Sequence, residues 1–185
     1  MEHFQQAPMP LPGNILLLTG LPGIGKTTVA KRVISSLPGL RISGFYTQEI
    51  RDKGKRLGFE LITLHGERFV MAHIESGSEC RVGRYGVNVR AIDRAVSMTL
   101  ADTRQPQLYI IDEIGKMECF SLQFIRLVTR LLDAGKPLVV ATIACRGRGF
   151  IAEVKRQYGD ELWEVTQKNR DTMPWNIKDW IGRNL

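Results

Sequence analysis

The chain has 185 residues, is 43% hydrophobic and 24% charged, and carries a formal net charge of +7. These values are typical of one soluble globular domain that is long enough to bury a full core without disulfides or metals. Three scattered cysteines, Cys80, Cys119 and Cys145, argue against a disulfide framework or a zinc site and suit a reducing cytoplasm. Neither an apolar run of membrane-spanning length nor a signal-peptide pattern occurs, so we expect a cytoplasmic protein that does not enter a membrane.

The distribution of basic residues bears on whether the partner is a nucleic acid. Lys and Arg are spread along the chain, with local concentrations in residues 51–56, 81–90 and 146–156. Long runs of like charge and interleaved basic and aromatic residues are both lacking in the sequence. We therefore favour a mildly basic enzyme that handles phosphates, and keep nucleic-acid binding as the less favoured alternative.

The chain begins with a tail and a strand–helix unit. Residues 1–13 contain three prolines and predict a flexible tail, so residues 14–185 are predicted to form a single domain. An apolar strand over residues 14–19 leads through a glycine-rich turn into a helix over residues 26–36. That helix is expected to end at the breaker pair Pro38-Gly39.

The next segment is rich in predicted strands. Extended runs at residues 41–50, 57–64 and 69–74 are joined by short polar turns. Short turns between extended runs indicate antiparallel pairing, so we predict a β-hairpin insertion at about residues 41–75. Residues 75–86 are polar and contain glycine, and they predict a loop.

Strand–helix alternation then resumes. Residues 88–102 predict a helix with one apolar face, and residues 108–111 predict an apolar strand that ends at Asp112-Glu113. The elements predicted after it are a helix over residues 121–134 capped by Ser121, a strand over 138–143, a helix over 150–158, a strand over 162–165 and a helix over 175–181. This alternation predicts an α/β fold with a mostly parallel sheet flanked by helices.

The glycine-rich turn after the first strand matches the phosphate-loop pattern G-x-x-x-x-G-K-[ST]. Its residues are Gly20, Leu21, Pro22, Gly23, Ile24, Gly25, Lys26 and Thr27, and Thr28 follows them. Glycines let backbone N–H groups converge on phosphate oxygens, and the helix start adds the positive end of its dipole. Lys26 is suited to the β- and γ-phosphates, and the Thr27 hydroxyl to Mg²⁺. Because a strand precedes the turn and a helix follows it, the segment predicts binding of a nucleoside triphosphate.

An acid pair follows the strand predicted over residues 108–111. Asp112 lies at the carboxyl end of that strand, the edge where parallel sheets bind ligands, and is suited to hold Mg²⁺ through its water shell. Glu113 is placed to orient an attacking water or to accept its proton. The alternative for Glu113 is an ordinary surface ion pair. The second acid favours hydrolysis over simple binding.

Several other polar residues are candidates for the same site. Transition-state charge needs a cation near the γ-phosphate, and Lys116, Arg146 and Arg148 follow strands at the same edge. The alternative for Arg146 and Arg148 is a solvated basic loop. Thr142 either senses the γ-phosphate or satisfies a backbone group. The pair Asn169-Arg170 follows the last strand, where an amide and a guanidinium could contact a base.

Six segments together resemble one family. They are GLPGIGKTT at residues 20–28, SGFYTQEIR at 43–51, RLGFELITL at 56–64, VGRYGV at 82–87, IDEIGKME at 111–118 and VTQKNRD at 165–171. In this order and spacing they resemble the THEP-type nucleoside triphosphatases, from about residue 14 to the end of the chain.

The resemblance implies a small P-loop enzyme of the RecA-like kind that slowly hydrolyses ATP, GTP, CTP and UTP with Mg²⁺. It matches residues 20–28 to the phosphate loop and Asp112-Glu113 to the metal-holding and water-activating acids. Together with the motif, this gives Lys26 and Glu113 as catalytic residues and Thr27 and Asp112 as residues that hold the metal. A second nucleotide-binding segment covers Ile111, Asp112, Glu113, Ile114, Gly115 and Lys116. Arg146 and Arg148 fall where the family is similarly basic and are our further catalytic candidates, and Asn169 and Arg170 match its Asn-Arg pair and are our further nucleotide-binding candidates. We expect a monomer.

Two other functions stay open at this stage. A kinase could pass the γ-phosphate to a small molecule or a polynucleotide end, although Glu113 favours water and the sequence shows no obvious acceptor-binding lid. A regulator could instead use the nucleotide as a switch for binding nucleic acid.

Overall fold

The computed structural model describes residues 13–101 and 104–185. The predicted tail, apart from Gly13, lies outside the described residues, as does Asp102. The strands are β1 Ile15–Thr19, β2 Ile42–Asp52, β3 Lys55–Thr63, β4 Arg68–His73, β5 Arg81–Val82, β6 Tyr85–Val87, β7 Leu108–Ile114, β8 Leu138–Ile143 and β9 Leu162–Glu164. The α-helices are α1 Lys26–Ser35, α2 Val89–Thr99, α3 Leu122–Asp133, α4 Phe150–Gln157 and α5 Met173–Asn184.

The strands form one sheet in the order β5-β6-β4-β3-β2-β7-β8-β1-β9. The five strands from β2 to β9 in that order pair in parallel, which confirms the predicted mostly parallel core. Strand β8 lies between β1 and β7, so the strand before the phosphate loop and the strand with the acid pair are not direct neighbours. Their carboxyl ends nevertheless share one edge of the sheet, because all three strands run the same way.

Helices cover both faces of the parallel part, which explains why β1 and β8 are almost entirely apolar. Along β1, Ile15 and Leu17 pack with α2, α3 and α4, whereas Leu16 and Leu18 pack with α1 and α5. The sheet is therefore the middle of three layers. Among the described residues, no helix is both long enough and apolar enough to cross a membrane.

The predicted insertion continues the central sheet through β2. The first part of this strand pairs in parallel with β7, and its second part pairs antiparallel with β3. Gly44 lies where the two partners meet, and a Cβ atom there would come within 1.9 Å of the carbonyl oxygen of Ile110. Only glycine permits this close approach between β2 and β7.

The loop predicted for residues 75–86 is wrong in part, because it contains β5 and the start of β6. These strands pair antiparallel around Gly83, and β6 also pairs with β4. They are only two and three residues long, and the polar residues and glycines in and around them give no alternating apolar pattern that would predict a strand. The insertion therefore extends to Val87.

The predicted ends of two elements also change. Helix α2 begins after Asn88, whose side chain accepts the N–H of Ala91, and ends at Thr99. Strand β7 does not end at Asp112 but continues to Ile114, with a shift in its pairing with β8 between Ile111 and Ile114. Neighbouring backbone continues to pair with β7 beyond the acids, since the N–H of Ala144 donates to the carbonyl of Ile114 at 3.1 Å. The predicted Ser121 cap of α3 is confirmed by its 2.9 Å bond from the N–H of Phe124.

Candidate active site

The phosphate loop joins β1 to α1 at the carboxyl edge of the sheet. Gly25 precedes the helix with a φ of 111°, a left-handed conformation that suits glycine, and as the N-cap residue it has no side chain to cap the N–H groups of the first turn. These N–H groups and the helix dipole therefore point towards whatever binds in the loop. An anion such as a phosphate is the ligand that such a helix start favours.

Lys26 is the first residue of α1 and is held at the mouth of the loop. Its side chain is 8% exposed, and its Nζ atom donates to the carbonyl of Gly20 at 3.1 Å. The same Nζ lies 3.7 Å from Oε2 of Glu113. Two predicted catalytic residues from separate segments thus meet as an ion pair.

Asp112 is fully buried on β7, between the two strands that neighbour it in the sheet. From β8, the Thr142 hydroxyl donates to Oδ1 at 2.6 Å, and from β2 the N–H of Thr47 lies 3.4 Å from Oδ2. The Thr27 hydroxyl also acts to lower the pKa of the carboxyl. Burial raises the pKa of Asp112, and these hydrogen bonds oppose that rise by favouring the carboxylate. Thr142 therefore bonds the side chain of Asp112. The sequence had predicted that it would either sense the γ-phosphate or satisfy a backbone group.

The Thr27 hydroxyl and the Asp112 carboxylate fit a Mg²⁺ ion. Both are hard oxygen donors, and they lie beside the phosphate loop. Mg²⁺ in nucleotide sites takes one or two protein oxygens and completes its shell with phosphate oxygens and waters. In residues 13–101 and 104–185, no group of three or more His, Cys, Asp or Glu forms a metal cage. These residues could therefore hold a metal that arrives with the nucleotide.

Two glutamates, Glu113 and the buried Glu118, follow Asp112 in the chain. Burial raises the pKa of Glu113, while the charge of Lys26 acts against the rise. Glu118, in the short 3₁₀ turn after β7, is 3% exposed, and a Cβ atom on Gly115 would lie 2.6 Å from its Oε2. Burial raises the pKa of Glu118 to about 8. Sequence reasoning gave Glu118 no role, although it lies in the segment that carried the family resemblance.

The other predicted cations lie at a neighbouring opening. Lys116, Arg146 and Arg148 are exposed and line a cavity of about 520 Å³ together with Cys119. In the part of the chain that the structure describes, none of the three forms an ion pair with Glu113. The structure thus brings the three basic residues together, next to the acid pair.

Asn169 and Arg170 lie in the turn after β9. The Asn169 side chain accepts the N–H of Thr166 and donates to the carbonyl of Glu164, both at 2.8 Å. It therefore shapes the turn. Arg170 lines a cavity of about 280 Å³, here called the α1 cavity, whose other walls are Gly23, Ile24, Gly25, Thr28, Val29, Arg32 and Asp171.

The loop before α1, the buried acid on β7 and the parallel sheet define a P-loop protein of the nucleoside-triphosphate-binding class. The sequence model of the NTPase family matches residues 15–178. The chain therefore belongs to this NTPase family.

Similar proteins are found across bacteria and animals. The nucleoside-triphosphatase THEP1 of Thermotoga petrophila is 39% identical over 85% of this chain and 87% of its own. The cancer-related nucleoside-triphosphatase homolog of Mus musculus is 36% identical over 85% of this chain and 91% of its own. The crystal structure of THEP1 from Aquifex aeolicus aligns with a TM-score of 0.76, at 36% identity over 90% of this chain and 98% of that one.

Proposed function

We propose that the protein hydrolyses nucleoside triphosphates to the diphosphate and phosphate with Mg²⁺, accepting ATP, GTP, CTP and UTP. The observation that carries this proposal is the position of Glu113, whose carboxyl lies 3.7 Å from Nζ of Lys26 at the mouth of the phosphate loop. A base at that point can reach a water beside the terminal phosphate. The names of the related proteins support the same reaction.

Different residues of the site bind the phosphates and the metal ion. The backbone N–H groups of residues 20–28, except that of Pro22, which has none, bind the phosphates, and Lys26 leaves the Gly20 carbonyl to reach the β- and γ-phosphates. Thr27 and Asp112 hold Mg²⁺, with Thr142 fixing the Asp112 carboxyl. A Mg²⁺ ion held by these residues would supply positive charge that offsets the negative charge of the phosphates.

Glu113 acts on the attacking water. Its carboxylate accepts a proton as the water oxygen bonds to the γ-phosphorus. The bond from that phosphorus to the bridging oxygen breaks, and its electron pair leaves with the diphosphate. Lys26 and the loop N–H groups stabilise the charge that develops on the phosphate oxygens.

Slow turnover follows from the position of the remaining cations. Lys116 and Arg146 border the cavity that contains Lys26 and Glu113, but their side chains and that of Arg148 are exposed, so we expect their loops to move before they contact a γ-phosphate. Because a missing cation near the transferring phosphate costs several orders of magnitude in related chemistry, loop movement would limit the rate.

The weakly held charges of the α1 cavity support low specificity for the base. In the α1 cavity, Arg170, Arg32 and Asp171 are the charged residues, and Arg32 pairs with Asp171 at 3.4 Å across an exposed surface. An exposed pair of this kind holds its geometry weakly. The triphosphate, which all four nucleotides share, therefore provides most of the contacts.

Several charges on the insertion argue against the nucleic-acid alternative. Arg51 and Arg56 both pair with Glu49, and Arg68 pairs with Glu60. Glu49 therefore offsets part of the basic charge in residues 51–56, and Glu60 offsets that of Arg68. A phosphate backbone would have to compete with them.

Phosphate release from each of the four nucleotides, with Mg²⁺ or with excess chelator, tests the proposal. We expect comparable release from all four, loss with chelator, and a fall of about a hundredfold or more in Glu113→Gln, which keeps the side-chain volume but removes the base. Glu153→Gln, on the exposed side of α4, is the matched control. Release by Glu113→Gln at the wild-type rate would refute the role of Glu113.

A further inference from the structure

A cavity of about 690 Å³ opens between the phosphate loop and the insertion. One end carries Lys26 and Glu113, and the walls include Phe59, Met71 and Val82. We call it the insertion cavity. Strands β3, β4 and β5 each contribute one of these three wall residues, so the insertion builds an apolar chamber against the catalytic pair.

The insertion cavity is distinct from the α1 cavity. The α1 cavity is lined by Gly23, Gly25 and Thr28, whereas the insertion cavity is lined by Leu21 and Lys26, and the two sets of lining residues do not overlap. The phosphate loop lies between them. A nucleotide whose body occupies the α1 cavity would therefore direct its terminal phosphate at Lys26, towards the insertion cavity.

The size and lining of this chamber exceed what hydrolysis requires. A water molecule occupies about 30 Å³, less than a tenth of the space. Cavities of about 300–1,000 Å³ with mainly apolar walls and a few polar groups are typical of small-molecule sites. Apolar walls give an attacking water no favourable contact, but they favour a ligand with an apolar body.

The aromatic wall is held in place from behind. The ring of Phe59 meets that of Tyr85 edge to face, with centroids 5.2 Å apart, and the guanidinium of Arg56 lies 5.2 Å from the Phe59 centroid. Arg56 also donates to the Tyr85 hydroxyl at 3.0 Å. The chamber is therefore formed before any ligand enters, which lowers the cost of binding.

We propose that the insertion cavity binds a small primary alcohol with an apolar, aromatic body, and that the protein transfers the γ-phosphoryl group to it. The proposal rests on the nucleotide site described above and adds a second acceptor beside water. The alcohol oxygen bonds to the γ-phosphorus, and its proton passes to the Glu113 carboxylate. The bond to the bridging oxygen breaks, and its electron pair leaves with the nucleoside diphosphate. The products are a phosphate monoester and the diphosphate.

The rim of the cavity bears on which alcohols fit best. Lys116 and Arg146 line both this cavity and the basic opening beside it. Because these exposed cations border the cavity, a carboxylate on the aromatic ring would gain an ion pair there. We therefore expect 4-(hydroxymethyl)benzoate to be a better acceptor than benzyl alcohol, and glycerol to be a poor one.

The test uses the whole chain, Mg²⁺ and ATP labelled at the γ-phosphate, with each of these three alcohols at millimolar concentration. Labelled phosphate monoester and labelled inorganic phosphate are separated and counted. We expect the monoester of the two aromatic alcohols to exceed that of glycerol by about tenfold or more.

Variants connect the result to the cavity. Val82→Trp fills the chamber, and we expect the ratio of monoester to inorganic phosphate to fall by about tenfold or more. Val70→Trp is the matched control, because Val70 is next to Met71 on β4 but is 50% exposed. Binding of a non-hydrolysable ATP analogue shows that each variant is folded.

The outcomes separate this inference from the proposed function. Release of inorganic phosphate with no monoester from any alcohol overturns the inference and leaves hydrolysis standing. An unchanged product ratio in Val82→Trp, with the analogue still bound, also overturns it. Monoester formation without hydrolysis supports the inference and removes the proposed function.

Discussion

The Oγ1 atom of Thr142 donates a 2.6 Å hydrogen bond to Oδ1 of Asp112, and both side chains are buried. The two residues are 30 positions apart in sequence but lie on adjacent parallel strands. Thr142 therefore fixes the carboxyl that we propose as a Mg²⁺ ligand, and its removal leaves that carboxyl with fewer donors.

Thr142→Val keeps the shape of the side chain and removes the donor. We expect Mg²⁺ to activate phosphate release only at concentrations about tenfold higher or more, because partners that orient a metal ligand contribute about this much. A Mg²⁺ titration of the release rate measures the change. Thr142→Ser should restore the wild-type curve, and Thr129→Val, on the exposed face of α3, should leave it unchanged. Identical titrations for Thr142→Val and wild type would contradict the role.

Lys26→Ala removes the ammonium that lies between the Gly20 carbonyl and Glu113. We expect nucleotide affinity to fall by about tenfold or more and phosphate release to fall below detection, since the β- and γ-phosphates lose their cation. A fluorescent nucleotide analogue measures affinity separately from turnover. Lys31→Ala, an α1 lysine that bonds Gln48 on the insertion, is the control. Full release by Lys26→Ala would exclude the proposed phosphate site.

The raised pKa of Glu118 makes the free energy of unfolding depend on pH. Its folded pKa is about 8 because the carboxyl is buried, and the charges of Glu113 and Asp112 add to the rise, whereas the ordinary value is 4.5. Between these two values the folded protein keeps a proton that the unfolded chain has released. The free energy of unfolding therefore falls with rising pH, by at most about 1.4 kcal/mol per pH unit.

Glu118→Gln removes this titration. Relative to wild type, the variant should gain stability as pH rises from about 5 to about 8, and the difference should be constant outside that window. Denaturant unfolding at a series of pH values measures it, with Glu153→Gln as the control for the loss of one exposed carboxylate. Parallel pH curves for Glu118→Gln and wild type would show that Glu118 is ionised in the folded state.

Asn169 and Arg170 should behave differently although they are adjacent. Asn169→Ala breaks two 2.8 Å hydrogen bonds that close the turn after β9, and we expect a loss of about 1–3 kcal/mol in unfolding free energy. Arg170→Ala should raise KM for the nucleotides without lowering kcat, since the side chain lines the α1 cavity away from Glu113. Thermal unfolding and steady-state kinetics separate the two effects. Equal KM values for Arg170→Ala and wild type would remove Arg170 from the nucleotide site.

Local patterns predicted the parts of the fold that local chemistry determines. Strand β8 has the predicted bounds, and Ser121 caps α3 as expected, because apolar runs and capping hydroxyls act within a few residues. The phosphate loop was equally clear, since its glycines, Lys26 and Thr27 are contiguous.

Other features depend on sheet register and could not be derived from local patterns. The N–H of Thr47 reaches Asp112 across 65 positions, and Thr142 reaches it across 30, through pairings that no short segment encodes. Strand β5 was missed because two residues carry no periodicity. The insertion cavity could not be derived from the sequence either, because its walls come from three strands whose order is set by long-range pairing.

The continuity of β2 limits how this protein can move. The strand runs from Ile42 to Asp52 and belongs to the core through β7 and to the insertion through β3. A lid needs a hinge, and a continuous strand whose first part pairs with β7 and whose second part pairs with β3 does not provide one. We therefore expect the insertion to stay fixed relative to the core. Closure over a bound nucleotide would then come from the exposed loop that follows β8 and carries Arg146 and Arg148. The choice of ligand in the insertion cavity then depends on shape complementarity to a rigid surface. The rate of phosphate release depends instead on the mobility of the loop after β8.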